Sequence, residues 1–147
     1  MNPVWTVRVG LARDRSASVR ARSHGLVVGQ PLDLGASAAG ASALEVFLGA
    51  VGSDVLLRFC DLCERRRIPV DQAEVRIDGR LGNALVALGV VGEEGDPGLA
   101  EVAVAAAVAS PSPEEEIRAV WEAALARSPL FVTLERSTTL RPTLQIL

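Results

Sequence analysis

One segment, from Ser42 to Arg66, constrains the architecture of this chain more than any other. Ser42-Ala43-Leu44-Glu45 has the form of a capping box, in which a Ser hydroxyl serves an unbonded amide and a Glu three residues on reaches back. From Glu45 to about Arg66, Val46, Phe47, Leu48, Val51, Val55, Leu56, Leu57, Phe59 and Leu62 occupy most of a helical circumference. A helix apolar around most of its surface is buried rather than laid amphipathically on a core. Arg65-Arg66-Arg67 complements its C-terminal dipole, and Pro69 ends it. The spacing therefore predicts a long, buried, central helix.

Composition sets the frame around that helix. With 147 residues, 49% hydrophobic and 22% charged, the chain is expected to form a single domain over 1–147 with a substantial core. Glu45, Asp54 and Arg58 interrupt the greasiest stretch, so the roughly 18 uninterrupted apolar residues of a membrane span are missing and no membrane partner is expected. Met1 to Arg15 alternates Arg with Val and Trp and has no apolar block of the signal-peptide kind, which makes the cytoplasm the expected location. Two cysteines three residues apart do not build an extracellular disulfide framework. The net charge of −3 offers nucleic acid no basic field, so none is expected as a partner.

Alternation predicts strands at Val4–Val9 and Ser16–Arg22, joined by a turn at Arg13-Asp14-Arg15, with a third short strand at Leu26–Val28. Gly29 to Ala41, rich in Gly, Pro, Ala and Ser, reads as a loop. Beyond the long helix, Ala73–Leu81 alternates as a strand, and Leu85–Val91 reads as its extension past a kink at Gly82-Asn83. Glu93–Gly98 is a turn and Leu99–Ala109 a returning strand. Ser112-Pro113-Glu114-Glu115 repeats the capping-box pattern, with Pro at the first helical position of a helix reaching Arg127. Ser128-Pro129 breaks that helix, and Phe131–Thr133 and Thr139–Ile146 close the chain as strands. The class is α+β, antiparallel strands around a central helix.

Few residues carry candidate chemistry. Asp54 sits inside the apolar helix, where a carboxylate is costly unless paired. Arg58, one turn on, is the local partner; a pocket at the helix surface is the functional alternative. Glu45 has its cap role or a polar role in a site, and Arg13 is a turn residue with a solvated charge. His24 reads as a strand-end surface residue. Cys60 and Cys63 lie more than a dozen residues into the helix, away from the N-terminal dipole that activates redox thiols, and read as packing thiols. With one His and no further Cys, no metal site and no cofactor are expected.

The element order resembles that of the OsmC/Ohr family, the osmotically inducible and organic hydroperoxide resistance proteins. The run Ser42-Ala43-Leu44-Glu45-Val46-Phe47-Leu48-Gly49-Ala50-Val51-Gly52-Ser53, the Arg67-Ile68-Pro69-Val70 exit and Arg127-Ser128-Pro129-Leu130 carry the resemblance. It implies an intertwined, strand-exchanged homodimer around two central helices, reducing hydroperoxides through a cysteine thiolate near a Glu and an N-terminal Arg. Glu45 and Arg13 match those two positions. The reactive cysteine would fall at Asp54 and the resolving one at Ser128, and both are replaced. The resemblance thus implies an OsmC-like homodimer that has lost thiol peroxidase activity, with an interface pocket for a small apolar or peroxide-like ligand lined by Asp54, Glu45, Arg13 and Arg58. Reduction through Cys60 or Cys63, or an Asp54-dependent reaction of another class, are the enzymatic alternatives. An arginine, Arg58 or one of Arg13, Arg20 and Arg22, is expected within ion-pairing reach of Asp54.

Overall fold

A computed structural model describes residues 2–29 and 40–147. It divides into two compact units, residues 1–47 and residues 48–147. Most of the predicted loop at Gly29–Ala41 lies outside the described residues.

The first unit is an antiparallel meander of β1 (Arg8–Leu11), β2 (Ala17–Ala21) and β3 (His24–Val28). The first strand begins later than Val4, and Val9 pairs with Val19, which pairs in turn with Leu26. Arg15 and Arg22 take left-handed φ values of 66° and 57° at the two turns. Asp14 fixes the first turn by accepting from Ser16 N at 3.0 Å and Ser16 Oγ at 2.6 Å. The hydrogen bond from the Ser16 side chain, followed by that from its amide, holds the Asp14 carboxyl below its usual range. At the end of β3, Gly29 N donates to Ala41 O at 2.8 Å. A Cβ on Gly29 would meet Gly40 O at 2.9 Å, so this close approach requires glycine.

Helix α1 (Ala43–Arg65) starts with the expected capping box: Glu45 N donates to Ser42 Oγ at 3.2 Å, and Ser42 N to Glu45 Oε2 at 3.1 Å. It ends in a Schellman motif. Ile68 N reaches Cys63 O at 2.9 Å and Arg67 N reaches Glu64 O at 3.0 Å, with Arg67 left-handed at φ 57°.

In the second unit, β4 (Gln72–Leu81), β5 (Leu99–Ala109) and β6 (Thr139–Ile146) form a sheet with β5 central. β4 and β5 are antiparallel, whereas β6 runs parallel to β5, with Glu101 opposite Thr139 and Val108 opposite Ile146. The expectation of antiparallel strands is corrected at this pair. α3 (Glu114–Arg127) and α4 (Pro129–Glu135) form the crossover a parallel pair needs, and they return the chain to the end of the sheet where β5 began. Val102, Val104, Ala106 and Val108 of β5, Val55, Phe59 and Leu62 of α1, and Ile117, Val120, Trp121 and Ala124 of α3 make one core. Phe59 and Trp121 meet edge-to-face at 6.2 Å. Gly52 brings α1 down on β4: a Cβ there would meet Ile77 Cγ1 at 2.9 Å.

Four further expectations are corrected. Leu85–Val91 does not extend β4; Asn83 accepts from Leu85 N at 3.0 Å and caps the short helix α2 (Ala84–Ala87). Ser112 makes no capping box, because Pro113, extended at φ −55° and ψ 139°, is itself the cap of α3 and no side chain caps it. Phe131–Thr133 is helical in α4, since the Ser128 side chain caps Phe131 N and Pro129 starts the turn, overriding the β propensity of Phe-Val-Thr. Finally, α1 is not buried on all sides within this chain. Val51, Gly52, Val55, Phe59, Leu62 and Cys63 are buried, whereas Gly49, Ala50, Ser53 and Leu57 on the opposite face are exposed, Leu57 at 68%.

Candidate functional site

Asp54 is the point at which α1 meets the α3–α4 junction. Its Oδ1 accepts from Arg58 Nε at 3.0 Å, the partner expected one helical turn on. Its Oδ2 accepts from Ser128 Oγ at 2.5 Å and from Leu130 N at 3.3 Å. The Asp54 side chain is 18% exposed and Ser128 is fully buried. The carboxylate, which would be costly in this place alone, is matched by three donors and leaves no buried side-chain polar atom unsatisfied among the described residues.

Ser128 works in both directions. Its hydroxyl hydrogen goes to Asp54, and its oxygen accepts from Phe131 N at 3.1 Å as the N-cap of α4. The local sequence explains this: α3 ends at Arg127, Ser128 is extended at ψ 112°, and Pro129 opens the next helix. One serine therefore ties a helix start to a side chain 74 positions earlier in the chain. The bond from Leu130 N was not anticipated. A backbone donor presented by an irregular junction has no residue-type signature.

Structure brings together Asp54, Arg58 and Ser128, all in the second unit. Glu45 is engaged in the cap of α1, and Arg13 lies in the β1–β2 turn; both belong to the first unit. Arg20, Arg22 and His24 lie on and beside the β2–β3 turn of that unit. Of the arginines expected near Asp54, Arg58 is the one it pairs with.

The thiols lie on the other flank of α1. Cys60 is half-buried and Cys63 buried, both reduced, lining a cleft of about 450 Å³ with Leu56, Ile68, Val70 and Ala73. Burial raises the Cys60 pKa and, together with the neighbouring Cys60 thiol, pushes Cys63 up to about 11. Neither sulfur is poised as a thiolate near neutrality. No group of three or more His, Cys, Asp or Glu residues that could hold a metal occurs among the described residues.

A long helix laid on a three-stranded sheet, preceded by a three-stranded meander and followed by a two-helix crossover, is the OsmC-like fold. Solved structures that share it include an OsmC-like protein from Mycoplasma pneumoniae, 16% identical, with a TM-score of 0.83 over 100% of this chain and 99% of that one. An organic hydroperoxide resistance protein from Elizabethkingia anophelis is 17% identical, with a TM-score of 0.73 over 100% of both chains. An OsmC-like protein of unknown function from Vibrio cholerae is 13% identical, with a TM-score of 0.76 over 97% of this chain and 99% of that one. No protein-family model matches the chain, and no curated protein matches it in sequence. Among the described residues no helix is long and apolar enough to cross a membrane.

Proposed function

We propose that this protein is a divergent member of the OsmC/Ohr group, a homodimer that no longer reduces hydroperoxides through a thiol and instead keeps an interface pocket for a small apolar ligand. The observation that carries this reading is the 2.5 Å contact between Asp54 and Ser128. The family resemblance assigns these two positions to a reactive and a resolving cysteine, and two side chains with such roles must touch. In thiol reduction a sulfur takes an oxygen from the peroxide, releasing an alcohol, and a second sulfur then expels water to form a disulfide. A carboxylate and a hydroxyl can do neither, and here they form a hydrogen bond.

Other routes to activity find less support. Cys60 and Cys63 lie across the helix from Asp54, and burial keeps them protonated. Asp54 accepts from Arg58, Ser128 and Leu130, which leaves it poorly placed to take a substrate proton. The dimer is supported by the exposed Gly49, Ala50, Ser53 and Leu57 face of α1, whose small residues suit close approach of a second helix, and by Trp5, Val9 and Leu11, all more than half exposed in the first unit.

The test is consumption of an organic hydroperoxide with a dithiol reductant. Wild type is expected to show none, and Asp54→Cys, with Ser128 retained, is expected to show turnover through an external thiol. Wild-type turnover would overturn the reading; its loss in Cys60→Ala/Cys63→Ala would assign it to those thiols, and its loss in Asp54→Asn to the carboxylate.

A further inference from the structure

Asp54, Arg58, Asp61 and Arg65 follow one another at three- and four-residue spacing, so they form a single stripe along α1. Each carboxylate is held by the Nε of the arginine one turn on: Arg58 to Asp54 at 3.0 Å and Arg65 to Asp61 at 2.9 Å. Pairing through Nε leaves the terminal amino groups of both guanidinium forks without hydrogen bonds among the described residues. Arg127, in the last turn of α3, comes to the same place from the other side and makes no ion pair among the described residues. Arg58, Arg65 and Arg127, with Asp61 and Leu62, line a pocket of about 210 Å³.

Each of Arg65 and Arg127 alone is accounted for by its helix C-terminus. That dipole does not account for three arginines, from two helices, lining one concavity. Set against Asp54 and Asp61, they leave one net positive charge at the pocket.

We propose that this pocket binds the carboxylate of a small organic acid. The forks of Arg58 and Arg65 and that of Arg127, which have no other partner among the described residues, present planar pairs of donors of the kind that grip a carboxylate in a bidentate manner. One net positive charge matches a monoanion rather than a phosphate dianion. The volume, below the roughly 300 Å³ at which drug-sized ligand sites begin, fits a small acid. The pocket is built from the second unit of one chain, so it stands whether or not the dimer or the loss of peroxidase activity is upheld. It nevertheless touches the candidate site, since Arg58 also holds Asp54 and Arg127 adjoins Ser128.

The experiment follows the arginine Nε–Hε signals by ¹⁵N NMR while acetate replaces chloride at constant ionic strength, with inorganic phosphate in a parallel arm. The Arg58, Arg65 and Arg127 signals are expected to shift saturably with one dissociation constant, while those of Arg76 and Arg118, paired elsewhere on the surface, do not. Arg127→Gln and Arg65→Gln, both at exposed positions, should each weaken acetate binding about tenfold, as loss of one charged hydrogen-bonding partner implies. Non-saturating shifts, equal shifts at Arg76 and Arg118, saturation by phosphate but not acetate, or folded Gln variants that bind acetate as wild type does would each overturn the proposal.

Discussion

Replacing Ser128 by alanine probes the link between α1 and the α3–α4 junction. Two bonds are lost. The cap on Phe131 N is worth about 1 kcal/mol. The bond to the Asp54 carboxylate, short at 2.5 Å and fully buried at the Ser128 end, is a hydrogen bond to a charged group worth about 1.5 to 3 kcal/mol. Ser128→Ala should therefore destabilise by about 2.5 to 4 kcal/mol. Asp54→Ala keeps the cap but loses the same contact, strands the buried Ser128 hydroxyl, and gives up the Arg58 pair. With the Arg58 side chain 39% exposed, that pair adds no more than about 1 kcal/mol. Each single variant removes the shared bond, and the double variant removes it only once. The double-mutant cycle should thus show a coupling of about 1.5 to 3 kcal/mol, several times the roughly 0.5 kcal/mol additivity error of independent sites. Urea unfolding measures it, with protein concentration held fixed because a dimer links stability to concentration. A double variant whose loss equals the sum of the two singles would refute the reasoning, because the contact would then contribute nothing.

Three further outcomes follow from single features. Burial raises the Cys63 pKa from about 9 to about 11, so between those pH values the folded state holds a proton that the unfolded state releases. Stability should fall as pH rises through that window. The chain has no Tyr and no Lys, so the fall should vanish in Cys60→Ala/Cys63→Ala, and a fall that persists there would contradict the assignment. Arg67, a non-glycine residue at φ 57° in the C′ position of α1, should give way to glycine with a gain of about 1 kcal/mol in the same unfolding assay; a loss would mean its side chain contributes more than its backbone costs. Leu57→Arg places a charge on the exposed face of α1 and should convert a dimer into a folded monomer by sedimentation velocity. A wild-type protein that already sediments as a monomer would remove the dimer from the proposal.

Features were legible in the sequence where both partners of an interaction are close along the chain. The Ser42–Glu45 box formed because each of its bonds spans three residues, and the Asp54–Arg58 pair because it spans four. The same motif failed at Ser112, where Pro113 took the cap position itself and left the serine outside it. Leu85–Val91 and Phe131–Thr133 failed for a related reason: strand-like composition was overruled by one capping side chain upstream, Asn83 and Ser128 respectively. Alternation placed β6 correctly but carries no information on direction, and its parallel pairing with β5 follows from where the crossover returns the chain.

The site shows how a local reading and a long-range one divide. That Asp54 required a cation followed from burying a carboxylate in an apolar helix, and Arg58 satisfies it. Arg58 occupies only Oδ1, however, and a carboxylate has a second oxygen to match. Ser128 and Leu130 supply that match from 74 and 76 residues away, beyond any helical or strand spacing. Only the family resemblance linked Asp54 to Ser128, and it did so by aligning both with positions that carry cysteine in that family. The two accounts meet in one geometric demand: positions able to exchange a disulfide must be in contact, and an aspartate and a serine in contact hydrogen-bond. As a structural tie, this pair holds α1 to the α3–α4 junction and keeps the α4 cap in place, since Ser128 caps α4 through its oxygen while donating to Asp54 through its hydrogen. For that reason the fold holds with a carboxylate and a hydroxyl at these two positions.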